Sequence, residues 1–167
     1  MDFIEQLPLS NGYSSILVVV DRLTKYSLFI PTHDTIMSTE LVGLFLTHIF
    51  SKHGMPSHLT SDHGPEFISH FFQSLGKLLH MKLHFMSGYH PEGNRQTECV
   101  NQIVEKYLRA YTNYQQDNWA MLLPLAKFAY NNAPSKTTGL SPFFANKGYH
   151  PTLATVPDAP VMSADAQ

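Results

Sequence analysis

The chain has 167 residues, of which 43% are hydrophobic and 12% aromatic, enough for one packed core and too many for a disordered segment. Its formal net charge of −2 and pI near 6.5 weigh against a domain that holds nucleic acid unaided, because neutralising phosphates draws on a surplus of Lys and Arg. A single cysteine, Cys99, excludes an intrachain disulfide and a Cys-x-x-Cys zinc pair, which fits a reducing compartment, and neither a membrane span nor a signal peptide is expected.

In chain order, residues 2–7 predict a first strand, and Asn11-Gly12 behind it is a hairpin signal. Residues 15–21, SILVVVD, are continuously apolar and β-branched, the pattern of a strand buried on both faces. DRLTK then turns the chain, with Asp21 read as an Asx turn, and residues 26–31 predict a third strand closed by Pro31. Leu41, Leu44, Phe45, His48 and Ile49 recur at helical spacing behind a Ser38/Thr39 cap, and that helix should stop at Gly54. A short fourth strand over 57–61 leads to Asp62, followed by a helix over 66–79 and a fifth strand over 81–86. The turn-rich stretch SGYHPEGNRQ precedes the longest helix, over about 96–115, whose apolar positions 100, 103, 104, 107, 108 and 111 form one stripe. A further helix over 118–132 carries Trp119, Leu122, Leu123 and Ala126. Prolines and a loss of periodicity mark a tail, so a domain is expected over 1–150 and a linker over 151–167. The order βββαβαβαα predicts an α/β fold, a sheet flanked by helices.

Two acids stand out from the pattern. Asp62 sits in LTSDHGPEF where an apolar approach ends in a bend, and Glu98 lies on the polar face of the longest helix, with Gln102, Glu105 and Arg109. Taken singly, each has an ordinary explanation, a turn residue and a solvated helix acid. The histidines are less telling, since the five-residue spacing of His53, His58 and His63 matches no zinc pattern.

The contexts of these acids carry more information than their number. MDFIEQLP, ILVVVDRLTKY, SDHGPEF, YHPEGNRQTECVNQ, WAMLLPLAKFAYN and GLSPFFANKGYHP occur in this order, and together they resemble the catalytic core of an integrase from a Gypsy-class LTR retrotransposon, over nearly all of residues 1–153. The resemblance implies a ribonuclease H-like fold with a mixed five-stranded sheet, and a metal-binding catalytic triad of Asp2, Asp62 and Glu98. Asp21, which follows the most apolar strand, is the competitor for the first acid, and Glu5 and Glu66 are read as solvated. Such a triad implies two Mg²⁺ ions, with Mn²⁺ as a substitute, because hard cations take carboxylate oxygens and a metal pair can serve both the attacking and the leaving oxygen of a phosphodiester.

His90, Asn94, Arg95, Gln96, Asn101, Gln102 and Arg109 are the candidate DNA contacts. The implied partners are element-end DNA, target DNA and further copies of the chain, and the implied place of work is the nucleus, with the cytoplasm for the particle stage. Two other readings stay open at this point, a decayed or domesticated copy that only binds nucleic acid or protein, and a ribonuclease H-type nuclease. Relatives of this kind read closer to His-Pro-Gln-Thr-Asp-Gly-Gln-Thr-Glu-Arg where this chain has HPEGNRQTEC. Arg95 in place of Gly predicts a stiffer loop 87–97, and Cys99 in place of Arg predicts a weaker hold on DNA. The start at residue 1, just before Asp2, and the Pro-rich tail suggest a fragment of a polyprotein.

Overall fold

The computed structural model describes residues 1–61, 65–79 and 91–152, with the side chains of residues 65–68 and 91–95 outside that description. The strand expected over 81–86 and the tail from residue 153 onward lie outside it as well. Three strands, β1 (Asp2–Ile4), β2 (Ser15–Val20) and β3 (Ser27–Thr32), form an antiparallel meander in the order β1-β2-β3. Asp2 pairs with Val18 and Ile4 with Ile16, while β2 and β3 pair from Ser15 opposite Thr32 to Val20 opposite Ser27.

The first hairpin closes as its sequence predicts. Asn11 and Gly12 have φ of 50° and 86°, and Ser10 bridges Tyr13, so both central residues adopt the positive φ that matches the twist of the flanking strands. β1 is shorter than expected because Gln6, at φ 59°, breaks the pleat beyond Ile4. Pro31 lies within β3, opposite Ile16, instead of closing it; β3 has no second strand beside it among the described residues, so the missing N–H interrupts no ladder.

The continuous apolar run of β2 does bury both faces. Leu17, with Leu28 and Ile30 of β3, packs against Leu41, Phe45, Phe71 and Leu75. Ile16 and Val18, with Phe29, pack on the other face against Val100, Val104, Trp119 and Leu123. The first of these helix sets belongs to α1 (Ser38–Phe45) and α3 (Pro65–Leu78), the second to α4 (Pro91–Tyr111) and α5 (Trp119–Asn132). A helical layer on each side of the sheet accounts for a strand that is apolar from Ile16 to Val20.

α1 continues through a π-helical turn (Leu46–Phe50) into a last turn, α2 (Ser51–His53), and stops at Gly54, whose φ of 75° suits glycine. Its cap is one residue earlier than the expected Ser38/Thr39: the N–H of Met37 donates to the Glu40 carboxylate at 3.0 Å, half of a capping box. In α5, Pro124 lies inside the helix, where it offers no N–H to the carbonyl of Ala120. A short α6 (Pro142–Lys147) follows, capped by the Ser141 hydroxyl, which accepts from the N–H of Phe144 at 3.2 Å.

Two expectations are corrected. Residues 57–61 carry no strand ladder; Leu59 packs against the first core cluster, which is what the apolar pattern registers, while the Thr60 carbonyl accepts from the Met1 ammonium at 2.6 Å. The longest helix runs over Pro91–Tyr111, not 96–115, so residues 91–97 are helix and not loop. Proline fits the first turn of a helix, where an N–H would have no partner, and Glu92, Arg95 and Gln96 are good helix formers. Glu98 consequently lies in the third turn of α4, and Arg95 occupies helical backbone that a Gly would weaken. The buried line of α4 is Thr97, Val100, Val104 and Leu108; Ile103 and Tyr111, expected in the stripe, are exposed.

Candidate active site

Asp2 is held on both carboxylate oxygens. Oδ1 accepts from the N–H of Phe3 at 2.8 Å, and Oδ2 accepts from Nδ2 of Asn101 at 2.6 Å, across 99 residues of sequence. The second bond ties the start of β1 to the middle of α4. Glu98 lies three residues before Asn101, on the neighbouring part of the same helical face, with its side chain exposed. Asp2 and Glu98 are therefore presented on the same side of the β1–α4 contact, whereas Asp62 lies outside the described residues.

Asn101 Oδ1 is buried and accepts nothing among the described residues. A buried amide with its donor end committed and its acceptor end unused calls for an explanation, because such an atom carries an uncompensated desolvation cost. Hydrated Mg²⁺ brings water hydrogens, and an acceptor beside a carboxylate suits that company. Asp2 and Glu98 carry hard oxygen donors of the kind such an ion takes. Among the described residues no three His, Cys, Asp or Glu side chains gather closely enough to hold an ion; the set implied by the resemblance includes Asp62, which lies outside them.

The other expected site residues divide. His90 lies outside the described residues, as do the side chains of Asn94 and Arg95, although both of these belong to α4. Gln96 is half-buried, with Oε1 accepting from Lys25 Nζ at 3.1 Å. Gln102 is exposed, and Arg109, 79% exposed, lies 3.7 Å from Glu105 one helical turn earlier. A pair that open to water contributes little, so either partner can be redirected. Cys99 is exposed beside Glu98. Sequence reasoning missed the tie from Asn101 to Asp2; its one local sign is an amide three residues after Glu98, at the border of the buried line.

Asp21 keeps its turn role. Its oxygens accept from the N–H of Leu23 at 3.3 Å, the N–H of Thr24 at 3.1 Å and the Thr24 hydroxyl at 2.5 Å. Partial burial works against the charged carboxylate, but those hydrogen bonds outweigh it and hold the pKa below the ordinary value. Asp21, Tyr26, His53 and His58 line a cavity of about 570 Å³ that also touches Val19, Leu28 and Phe45. Those apolar walls belong to the sheet face away from α4, and neither Asp2 nor Glu98 borders the cavity. Burial, with Lys147, Lys52 and Lys127 nearby, pushes the pKa of His53 down against the opposing pull of Asp21.

This combination, a β-meander carrying an aspartate on its first strand beside a long helix bearing a glutamate, belongs to an α/β fold of the ribonuclease H type. Residues 1–91 match the integrase core domain family, rve, and the chain belongs to that family, one of polynucleotidyl transferases and endonucleases. The match spans Asp2 and Asp62 and ends at the first residue of α4. The chain is 31% identical over 154 residues to the Tf2-3 and Tf2-4 transposon polyproteins of Schizosaccharomyces pombe, covering 92% of this chain and 12% of theirs.

Among solved structures, the trimeric form of the HTLV-2 integrase catalytic core domain in complex with magnesium matches with a TM-score of 0.56 and 22% identity, over 85% of this chain and 91% of that one. A simian T-cell lymphotropic virus intasome in complex with the PP2A regulatory subunit B56 gamma gives a TM-score of 0.61 at 22% identity, over 98% and 59%. The HTLV-2 domain is also known in a dimeric form. At these identities the likeness speaks for the fold.

Proposed function

We propose that this chain is the catalytic core of a retrotransposon integrase, processing the 3′ ends of element DNA and transferring them into target DNA, with Asp2, Asp62 and Glu98 as the metal ligands. The observation that carries the reading is the hydrogen bond from Asn101 to Asp2, which links the strand of the first acid to the helix of the third. Two Mg²⁺ ions, or Mn²⁺ in their place, would supply charge stabilisation to the attacking and leaving oxygens. Asp2, oriented by Phe3 and Asn101, holds one oxygen face toward the site, and Glu98 offers its carboxylate from α4. With its charge borne by ions, the site needs no protein base. The net charge of −2 supports a division of labour in which flanking domains and further copies of the chain hold most of the DNA. On this reading the protein works in the nucleus, with the cytoplasm for the particle stage.

The test uses this core in a full-length integrase, with strand transfer read on a labelled element-end duplex. Asp2→Asn, Asp62→Asn and Glu98→Gln should each lower joining by about 100-fold or more, with an unchanged circular dichroism spectrum. Normal joining by any one of them would remove that residue from the triad. Hydrolysis of an RNA:DNA hybrid in place of joining would reassign the substrate, and inactivity of the unaltered core would identify a decayed copy.

A further inference from the structure

The turn between β2 and β3 is stiffly built for its length. Asp21 receives three hydrogen bonds from Leu23 and Thr24, and the Thr24 hydroxyl oxygen accepts from the N–H of Tyr26 at 3.2 Å. Within this frame Lys25 is held at φ 65°, a left-handed conformation that a residue with a Cβ adopts only under constraint. From that position Lys25 Nζ donates to the Arg22 carbonyl at 2.7 Å and to Gln96 Oε1 on α4 at 3.1 Å. The ammonium also fixes which way the Gln96 amide points. Its Nε2 is left buried with no acceptor among the described residues, an arrangement that the Lys25 bond imposes.

At about 100° per residue, Gln96 and Glu98 project roughly 200° apart, on opposite flanks of the buried line of α4. The Asn101–Asp2 bond lies on the Glu98 flank. Two hydrogen bonds, one to β1 and one to the β2–β3 turn, thus grip α4 on either side of its buried line, and together they fix its rotation about its own axis. A carboxylate about 6 Å from that axis moves roughly 1 Å for every 10° of rotation, whereas metal–ligand distances tolerate about 0.2 Å.

We infer that Lys25, acting through Gln96, is a positioning residue that sets the rotation of α4 and thereby aims Glu98 at the metal site. This rests on the assignment of Glu98 proposed above. The strained φ of Lys25 is the cost of bringing its ammonium to α4.

Mn²⁺ alone is the probe, with its binding to the 167-residue chain read from the paramagnetic resonance signal of the free ion. Lys25→Met and Gln96→Leu should each weaken Mn²⁺ binding about 10-fold, and the double variant should be no worse than either, because both remove one shared interaction. The exchange Lys25→Gln with Gln96→Lys restores a donor and an acceptor and should recover most of the loss, which a merely structural role would not. If Lys25→Met does not fold, Gln96→Glu, which keeps an acceptor for the ammonium, should retain the affinity that Gln96→Leu loses. Unaltered Mn²⁺ binding in Lys25→Met and Gln96→Leu, with Glu98→Gln impaired, overturns this inference alone. Unaltered binding in Glu98→Gln overturns the acid assignment and this inference with it.

Discussion

Replacing Asn131 by leucine isolates what seats α5 on β3. Asn131 is 1% exposed; its Oδ1 accepts from the Ser27 N–H at 2.8 Å, and its Nδ2 donates to the carbonyls of Ser27 at 2.8 Å and Lys127 at 2.9 Å. Ser27 is itself fully buried at the first position of β3. Leucine keeps the branching of asparagine with somewhat greater bulk, so no cavity is left, and the Lys127 carbonyl still has its helical partner. What remains is the stranding of the Ser27 N–H and C=O, at about 1–3 kcal/mol each. The extra apolar contact returns only part of that, so the net loss should be about 3 kcal/mol. Urea unfolding followed by tryptophan fluorescence reads it directly, since Trp119 is buried in the core at the start of the same helix. Asn131→Asp keeps the shape and the acceptor but sets an anionic oxygen against the Ser27 carbonyl, and at neutral pH it should cost at least as much. A loss below about 1 kcal/mol in both variants, with an unchanged m-value, would show that the Ser27 groups find other partners and would refute the reasoning.

Stability should decline in two stages on acidification. The pKa values of His48 and His53 are lowered, by burial first and by nearby lysines second, so both favour the fold while neutral and oppose it as pH falls from about 6.5 through their folded values. The pKa of Asp21 is lowered too, so its contribution is present above the ordinary carboxylate value and lost as pH falls through the folded one. In urea midpoints measured against pH, His48→Gln with His53→Gln should flatten the upper stage and Asp21→Asn the lower, and a profile unmoved by either set would contradict the assignment. Because residue 95 is helical, Arg95→Gly should lower stability by about 1 kcal/mol and not raise activity; a stabilised or more active variant would restore the loop reading. Cys99→Arg, on the exposed face beside Glu98, should steepen the salt dependence of DNA binding by about 0.9 for one added phosphate contact, and an unchanged slope would place DNA elsewhere.

Local chemistry was legible wherever one physical cause dominated. Asn11-Gly12 accepts positive φ at both positions, SILVVV can only be a strand covered on both sides, and Gly54 ends its helix, so all three were read correctly. The start of α4 was misread because PEGNRQ has the composition of a turn, and the merit of proline in a first helical turn was outvoted by Gly and Asn beside it. The pattern of 57–61 reported burial of Leu59, which is a side-chain property, and was silent on backbone partners, which make a strand. Family resemblance supplied the triad, while periodicity alone would have left Glu98 a solvated acid. The ties that orient the site were invisible, since Asn101 meets Asp2 and Gln96 meets Lys25 only after the helix has docked on the sheet.

Pro124 divides α5 between two anchorages. Before it, Trp119 Nε1 donates to the Pro8 carbonyl at 2.6 Å and the N–H of Ala120 donates to Ser10 Oγ at 3.1 Å; after it, Asn131 is fastened to Ser27. The two halves are thus pinned to opposite ends of the meander, one to the β1–β2 hairpin and one to the start of β3. With no N–H at position 124 to carry the ladder across, the helix need not unfold as one cooperative unit. Its amide protons should exchange as two sets, each with the lifetime of its own anchor, and a strain applied to the hairpin would be absorbed at the proline before it reached Ser27.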